Sequence, residues 1–424
     1  MLQLRDVPFV TVIGPLLFVL VACNDATSSS TDPRLQPPLV RIETVEISVQ
    51  SERSFTGIVA AHVQSDLGFR VPGKVLGRLV DAGQTVAWSE QERRVVRASN
   101  DISFGREHAI VKDGAPRADG RFTNRAEPGE RVPLGVRAGF LARRIGASLS
   151  RRAGAAPRVP YDSAAIARNP SLTWIGHSTF LVRMDGVTFL TDPMFSDRAS
   201  PVSFAGPPRL VPPGVPLDAL PPVDFVLLSH DHYDHADAQS VKQLAVRGAT
   251  FVVPLGLGEW VRRFGGTALE LDWWQQLELN GIRIHAVPAQ HFSGRSLGGR
   301  DRRLWTGWVV TGSTRRFYHA GDTGYSPDFA IIGERLGPID LAVVPIGAYL
   351  PTATMHFVHT TPEEALHVGL EVRARHIVAM HFGTFDLADE PLDQPPQRFR
   401  AEAERLGLGP DRAWIMNIGE TREW

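Results

Sequence analysis

A cluster of histidines and aspartates lies at residues 229–235 of the 424-residue chain, directly after the apolar run 223–228. Such a run is typical of a buried β-strand, and open α/β sheets build their sites where strands end. Imidazole and carboxylate groups are common Zn²⁺ ligands. His230 and His232 point to the same side of an extended chain and suit one metal ion, whereas Asp234 and His235 turn towards a second. The segment therefore predicts a metal centre, although a histidine-rich surface loop is the alternative.

Further residues of the metal-binding type follow other predicted strands. The chain has one cysteine, Cys23, so cysteine-based metal sites and intrachain disulfides are excluded, and any metal must be held by histidines and carboxylates. A coincidental histidine rarely recurs at strand ends, so we expect these residues to meet at one edge of the fold. They are Asp192, His291, Asp322 and His381.

Strands and helices alternate from residue 170 onward, in two successive halves. This alternation predicts an α/β layered fold. Thr361, Pro362 and Glu364 form a strong helix start, and Asp185-Gly186 is a hairpin turn signal. Predicted strands cover 172–177, 179–182, 187–191, 223–228, 250–254, 282–288, 305–311, 316–320, 341–345, 376–380 and 413–418; predicted helices cover 236–248, 258–264 and 397–406, besides the one that begins after Thr361.

Composition places the chain among ordinary globular proteins. It is 43% hydrophobic and 21% charged, and its net charge of -1 gives no argument for a nucleic-acid partner. The length suggests two or three domains, or one large domain with extensions.

The first 168 residues predict several short segments. Residues 1–22 fit a signal peptide, and the run that ends at Cys23 resembles a bacterial lipobox, so 23–38 would be a lipidated tether; an ordinary apolar N-terminus is the alternative. Residues 39–88 alternate apolar and polar types between glycines, which predicts β-hairpins. They resemble the start of an efflux-pump periplasmic adaptor, of which only half a barrel is present. Residues 89–168 read as a linker and N-terminal extension, and 169–424 as the α/β domain that carries the predicted metal centre.

These segments predict a lipid-anchored protein of the bacterial cell envelope that faces the periplasm. If the N-terminal segment is a fusion artefact, a cytoplasmic location is expected instead. The arginines of 89–168 could contact anionic lipid, but a solvated extension is the simpler interpretation.

The order and spacing of the motifs resemble the metallo-β-lactamase superfamily. That resemblance implies an αββα sandwich with a dinuclear metal site at its edge, here with a small β-rich N-terminal segment. Over residues 120–424 the sequence is similar to the phospholipases D that hydrolyse N-acyl-phosphatidylethanolamine. The similarity is carried by residues 190–196, 198–201, 206–207, 254–257, 270–274, 320–325, 344–349, 359, 362–365 and 381–385.

The resemblance also implies roles for individual residues. Asp322 would bridge two zinc ions and, with Asp234, would be a catalytic carboxylate. Asp192 would orient the ligands from behind, and His359 would contact the substrate head group. Iron or manganese in place of zinc stays open. One zinc ion would be held by His230, His232 and His291, and the other by Asp234, His235 and His381.

The implied reaction is hydrolysis of N-acyl-phosphatidylethanolamine to phosphatidic acid and N-acylethanolamine. Two zinc ions would lower the pKa of a bridging water towards 7 and supply hydroxide. A metal-dependent lactonase, or another hydrolase on the same site, is the alternative, because one fold hosts many chemistries. A lipid-anchored adaptor or scaffold is the alternative of another class, and the complete ligand set argues against it. The expected partners are the phospholipid and a membrane surface reached through Cys23; a homodimer is left open.

Six further histidines and a tryptophan pair are predicted to be packing or surface residues. The loop at 293–302, rich in glycine and arginine, departs from the family pattern, and the membrane-facing apolar insert of the eukaryotic enzyme is not obvious. The sequence therefore leaves the substrate more open than the metal site. The residues given this structural interpretation are His177, His285, His319, His356, His367, His376, Trp273 and Trp274.

Overall fold

A computed structural model describes residues 114–126, 132–148, 155–295 and 298–424. The chain divides into two compact units, residues 1–107 and 108–424, and all described residues belong to the second. The predicted signal peptide, lipidated Cys23, tether and adaptor-like segment lie outside the described residues. Within the described ranges, none of the helices has the length and apolar character needed to cross a bilayer.

The strands form a short hairpin and two mixed sheets of seven strands each. The hairpin consists of β1 (Arg117–Ala118) and β2 (Arg121–Phe122). The other strands are β3 (Ser171–Gly176), β4 (Thr179–Met184), β5 (Val187–Thr191), β6 (Phe225–Leu227), β7 (Thr250–Pro254), β8 (Thr267–Leu271), β9 (Gln276–Leu279), β10 (Ile282–Val287), β11 (Gly307–Thr311), β12 (Arg316–His319), β13 (Ile339–Pro345), β14 (Ala374–Met380), β15 (Ala413–Trp414) and β16 (Thr421–Arg422).

The first sheet has the order β16-β3-β4-β5-β6-β7-β8. Its pairings are antiparallel from β16 to β5 and parallel from β5 to β8. The predicted hairpin between β4 and β5 is confirmed: Asp185 and Gly186 have φ values of 49° and 83°. Positive φ at both central residues is what a tight type I′ turn requires, and Asp-Gly supplies it at low cost.

The second sheet repeats this plan with the order β9-β10-β11-β12-β13-β14-β15. Pairings are antiparallel from β9 to β12 and parallel from β12 to β15. In both sheets, therefore, one strand joins an antiparallel half to a parallel half: β5 in the first and β12 in the second.

Helices cover the outer faces of the two sheets. Val241 and Trp260 from two of them pack with Ile175 and Phe251 of the first sheet. Thr361 caps a helix on the second sheet in a full capping box with Glu364, as predicted. The helices are α1 (Leu134–Ser148), α2 (Ser163–Ile166), α3 (Ala238–Val246), α4 (Gly258–Arg262), α5 (Asp328–Leu336), α6 (Thr352–Met355), α7 (Pro362–Glu371) and α8 (Gln394–Arg405).

The main hydrophobic core lies between the two sheets. Phe189 of β5 and Phe317 of β12 meet edge to face with ring centroids 5.5 Å apart. Trp174 of β3 and Trp308 of β11 belong to the same buried cluster, which continues to α5, α7 and α8. The predicted αββα sandwich is therefore confirmed for residues 155–295 and 298–424. Trp273 is fully buried, as predicted.

The structure corrects some predicted element boundaries. The predicted last strand at 413–418 ends at Trp414. Beyond it the chain crosses to the first sheet, where the Gly419 N–H donates to Trp174 O at 2.7 Å and β16 pairs with β3. The sequence did not predict β8, β9 or α5. The extension also folds against the domain well before residue 169, because Ala115 N–H donates to Asp272 Oδ1 at 2.9 Å.

Candidate metal centre

The ends of β5 and β6 form the floor of the candidate centre. Asp192 follows β5, and its N–H donates to Leu227 O at 2.8 Å. Ser229 donates its N–H to Asp192 Oδ1 at 2.7 Å and its hydroxyl to Asp192 Oδ2 at 2.6 Å. The carbonyl of Ser229 accepts the Thr306 N–H at 2.9 Å. The backbone is thus fixed from both sides immediately before the first histidine of the cluster.

Three histidines form the first candidate ligand group. One ring nitrogen each of His230, His232 and His291 lies within 4.8 Å of the others. His232 Nδ1 is 2.9 Å from His230 Nε2 and 3.2 Å from His291 Nε2. The opposite nitrogens are held from behind, since His230 Nδ1 is 2.9 Å from Ser229 Oγ and His291 Nδ1 is 2.8 Å from Val358 O. Metal-binding histidines are commonly oriented by such outer contacts.

The second candidate group gathers around one carboxylate. Asp234 Oδ2 lies 3.0 Å from His177 Nε2, 3.5 Å from His235 Nε2 and 3.4 Å from His381 Nε2. Ligand atoms of all four residues lie within 4.8 Å of one another. Three imidazoles and a carboxylate at this spacing make a nitrogen and oxygen set that suits Zn²⁺.

Asp322 lies between the two groups. Its Oδ2 is 3.2 Å from His235 Nε2 and 3.1 Å from His381 Nε2. The same oxygen is 3.9 Å from His230 Nε2 and 3.9 Å from His291 Nε2. The carboxylate thus lies near histidines of both groups, and its predicted bridging role stays a prediction. The structure brings all seven predicted ligands together, while their binding of metal stays a prediction.

Asp192 supports the centre from behind. Its Oδ2 lies 2.8 Å from His235 Nδ1, and both side chains are fully buried. This contact directs His235 Nε2 towards Asp322, which is the orienting position predicted for Asp192.

His359 enters the centre from the loop between α6 and α7. Its Nδ1 is 3.9 Å from Asp322 Oδ2, and ligand atoms of His359, Asp322 and His291 lie within 4.8 Å of one another. Burial lowers the pKa of His359 to about 4, so the ring is neutral near pH 7. Its predicted contact with a substrate head group stays a prediction.

The carboxylates and histidines of the centre strongly perturb one another. Burial opposes a charge on His381, but the neighbouring carboxylates of Asp322 and Asp234 raise its pKa to about 9. Burial likewise opposes ionisation of Asp234 and Asp322, yet the nearby His235 holds the pKa of each well below its usual range. The pKa of His177 falls to about 3 because of burial and the nearby His381. The ionised carboxylates of Asp234 and Asp322 are thus stabilised by nearby positive charge, which a bound metal cation would also supply.

Several buried atoms that face the centre make no hydrogen bond within the described residues. They include His235 Nε2, Asp322 Oδ1, His359 Nδ1 and His381 Nε2. Buried polar atoms are nearly always paired, so this concentration of unpaired atoms indicates a ligand. Histidine and carboxylate donors suit Zn²⁺, and also iron or Mn²⁺. The residues present therefore fit a metal centre.

Two glycines allow the strand ends to meet. Gly321 has φ 63°, and a Cβ there would lie 2.8 Å from Thr306 O and 2.9 Å from Ser229 Cβ. A Cβ on Gly347 would collide with the carbonyl oxygen of His381. Any larger residue at either position would push apart the loops that carry the candidate ligands.

His177 is the residue of the centre that sequence reasoning missed. The sequence predicts a packing or surface role for it, but the structure places its ring against Asp234. Its backbone also joins the sheets, because His381 N–H donates to His177 O at 3.2 Å and His177 N–H donates to Thr384 Oγ1 at 2.8 Å. The available signal was its place directly after β3, the strand-end position that identified the other ligands. His319, by contrast, is buried against Ser178 O at 3.3 Å.

The sequence of this chain is similar to a known domain family and to several related proteins. A β-lactamase superfamily domain matches residues 188–382. The chain is 47% identical over 240 residues to the N-acyl-phosphatidylethanolamine-hydrolyzing phospholipase D 1 of Caenorhabditis elegans, covering 52% of this chain and 67% of the worm protein. It is 34% identical over 258 residues to the mitochondrial N-acyl-phosphatidylethanolamine-hydrolyzing phospholipase D of Saccharomyces cerevisiae, covering 59% and 55%.

A metal-dependent hydrolase of Methanopyrus kandleri is 32% identical over 258 residues, covering 59% of this chain and 99% of the archaeal protein. The matched region thus spans nearly all of the archaeal relative, about two thirds of the worm protein and about half of the yeast protein.

Proposed function

Because the chain belongs to the metallo-β-lactamase superfamily of metal-dependent hydrolases, we propose that it is a zinc-dependent phosphodiesterase of the phospholipase D type. The proposed substrates are N-acylated ethanolamine phospholipids, and the products are phosphatidic acid and N-acylethanolamine. The observation that carries this proposal is Asp322, whose carboxylate lies between two histidine groups. The similarity to the worm and yeast phospholipases supports the choice of substrate.

The residues of the centre have separate tasks in this proposal. Two bound zinc ions would supply activation of water and neutralisation of phosphoryl charge. The two ligand groups would hold them together with Asp322, and Asp192 would keep His235 in its orientation. His359, neutral near pH 7, has one N–H to donate to a phosphate oxygen or head-group oxygen.

A membrane is the proposed site of action, because the proposed substrate is a phospholipid. The lipobox-like run at Cys23 supports attachment to a bacterial envelope membrane, and this part of the proposal rests on sequence alone.

The test is hydrolysis of N-acyl-phosphatidylethanolamine in detergent micelles by the full chain. The protein is stripped with a chelator, assayed, reloaded with Zn²⁺ and assayed again, with phosphatidic acid and N-acylethanolamine measured by mass spectrometry. We expect zinc to restore release of both products. No release from protein that binds two zinc ions would reject this substrate, and lactones would then be assayed on the same preparation.

Asp322→Asn is the matched variant for this assay. The substitution keeps the size of the side chain but removes the charge shared by both ligand groups. Replacing even an outer contact of a metal ligand costs about 10–100-fold in activity, so we expect a loss of at least about 100-fold here. Circular dichroism controls for the fold. Wild-type turnover by a folded Asp322→Asn protein would contradict the role given to this carboxylate.

A further inference from the structure

The side chain of Asn124 makes two hydrogen bonds to the backbone of a candidate metal ligand. Asn124 Nδ2 donates to His291 O at 2.8 Å, and Asn124 Oδ1 accepts the His291 N–H at 3.0 Å. The amide thereby imitates a neighbouring β-strand for one residue. Asn124 lies 167 positions away in the sequence and outside the matched domain at 188–382.

A third contact fixes the orientation of the Asn124 amide. Trp305 Nε1 lies 3.1 Å from Asn124 Oδ1 and donates to it. An indole N–H and a backbone N–H can only donate, so the atom they share must be the amide oxygen. The nitrogen then faces the His291 carbonyl, where a donor is needed. All three contacts agree with one placement of the side chain.

The segment that carries Asn124 is anchored on both sides of that residue. Phe122 is buried in a cluster with Trp273 and Trp305, and its N–H donates to Asp301 O at 2.8 Å. On the other side, Arg125 forms an ion pair with Asp328 at 3.1 Å. These contacts hold the amide in place rather than leaving it on a free chain end.

The ring of His291 is held by a separate contact. Val358 O lies 2.8 Å from Nδ1, so Nε2 is left to face the centre, 3.2 Å from His232 Nδ1 and 3.9 Å from Asp322 Oδ2. Asn124 therefore fixes where the backbone of His291 lies, and Val358 fixes how its ring is turned. His291 lies beyond Val287, the last residue of β10, so the backbone hydrogen bonds of the sheet do not fix its position.

We propose that Asn124 is a positioning residue for His291, supplied to the metal centre by the N-terminal extension. This inference rests on the proposed metal centre. It assigns Asn124 to one ligand group only, the one formed by His230, His232 and His291. Loss of the amide therefore weakens one metal-binding step and leaves the step that involves Asp234, His235 and His381 nearly unchanged.

The experiment is a zinc titration of the full-length apoprotein against a chelating dye that resolves two binding steps. We expect Asn124→Ala to weaken one step by about 10-fold or more, which is the size typical of losing an outer contact to a ligand, and to leave the other within about threefold. Asn417→Ala is the matched control, because its amide contacts Glu420 in a turn rather than a candidate ligand; both steps should keep their wild-type affinity.

A second variant separates positioning from folding. Asn124→Asp has the same shape and keeps the acceptor for Trp305 and for the His291 N–H, but it turns an oxygen towards the His291 carbonyl. We expect the same selective weakening of one binding step, with circular dichroism of the apoprotein as the control for the fold.

The outcomes distinguish failure of the positioning role of Asn124 from failure of the proposed metal centre. Two unchanged steps in both Asn124 variants would overturn the positioning role, as would equal weakening of both steps, which is what a general loss of structure produces. A wild-type protein that binds no zinc would overturn the metal centre itself, and the role of Asn124 with it.

Discussion

At the scale of single residues, burial lowers the pKa of two histidines outside the ligand groups, His359 and His285, to about 4. His359 faces the centre, whereas His285 lies in the middle of β10, between β9 and β11. Burial, Arg283 and Arg316 lower the pKa of His285 to about 4. This histidine is therefore neutral in the folded protein at a pH where it binds a proton in the unfolded chain.

The depressed pKa of His285 predicts a pH effect on stability. Its ordinary pKa is about 6.5, so below that pH the unfolded chain gains a proton that the folded chain refuses until about pH 4. Stability is thus lost as pH falls through this window. His285→Gln should reduce the loss of unfolding free energy between pH 7 and pH 5 by about 1 kcal/mol, a value discounted because the ring is partly exposed. Denaturant unfolding of both apoproteins at the two pH values measures it.

The comparison of the two apoproteins isolates His285, because all other histidines are present in both. An equal loss of stability in wild type and His285→Gln would show that this ring does not contribute. His356→Gln is a suitable control, since that side chain is 58% exposed.

Sequence reasoning succeeded for residues that are neighbours of a strand end and failed for those defined by distant partners. Asp192, His291, Asp322 and His381 were found because each follows a run that reads as a strand. His177 meets Asp234 across 57 positions, and Asn124 meets His291 across 167. Neither pairing leaves a local pattern, because both depend on how the chain folds back.

At the scale of elements, local chemistry determined some boundaries and tertiary contacts determined others. The start of α7 could be read directly, since Thr361, Pro362 and Glu364 supply a complete capping box. By contrast, β9 alternates between exposed and half-buried positions and offers no apolar run. The last predicted strand stops early because the chain must cross to the first sheet after Trp414.

The capping box of α7 predicts a stability effect that leaves the centre intact. Thr361 Oγ1 accepts the Glu364 N–H at 3.2 Å, and Glu364 Oε2 accepts the Thr361 N–H at 2.9 Å. Thr361→Ala should lower the unfolding free energy by about 1 kcal/mol, because a helix N–H loses its partner. Denaturant titration measures the change, and bound zinc per chain should stay at the wild-type value.

The control for Thr361→Ala is Thr352→Ala, the same chemical change at an exposed position. Equal destabilisation by both substitutions would show that the cap contributes nothing beyond the loss of a threonine.

At the scale of the whole molecule, the two sheets place comparable residues at comparable positions. Asp192 follows β5 and Asp322 follows β12, and each of these strands joins the antiparallel to the parallel half of its sheet. One aspartate orients a histidine and the other lies between both ligand groups. The repeated plan explains why the alternation of elements predicted the layered fold, although it could not show how closely the two edges approach.

The division of the chain into two units predicts what a shortened protein does. Residues 108–424 contain every described contact of the centre, including those of Asn124. We expect a protein of residues 108–424 to fold and to bind zinc with the wild-type stoichiometry and affinities. A protein of residues 132–424 should lose about 10-fold or more in one binding step, because the extension is gone. Zinc titration with thermal unfolding as the fold control measures both.

Loss of zinc affinity by residues 108–424 would show that the centre depends on the preceding residues. Full affinity in residues 132–424 would contradict the contribution of the extension.

The position of the candidate ligands on two different sheets has a consequence for the lifetime of the protein. His230 follows a strand of the first sheet and His381 a strand of the second, so bound metal would link the two sheets across the main core. Free metal at a hundred times its dissociation constant adds about 2.7 kcal/mol to the folded state. When metal becomes scarce, the metal-free protein would unfold more often and be degraded sooner by proteases. Metal supply would then govern how much of this protein persists, as well as how fast each molecule works.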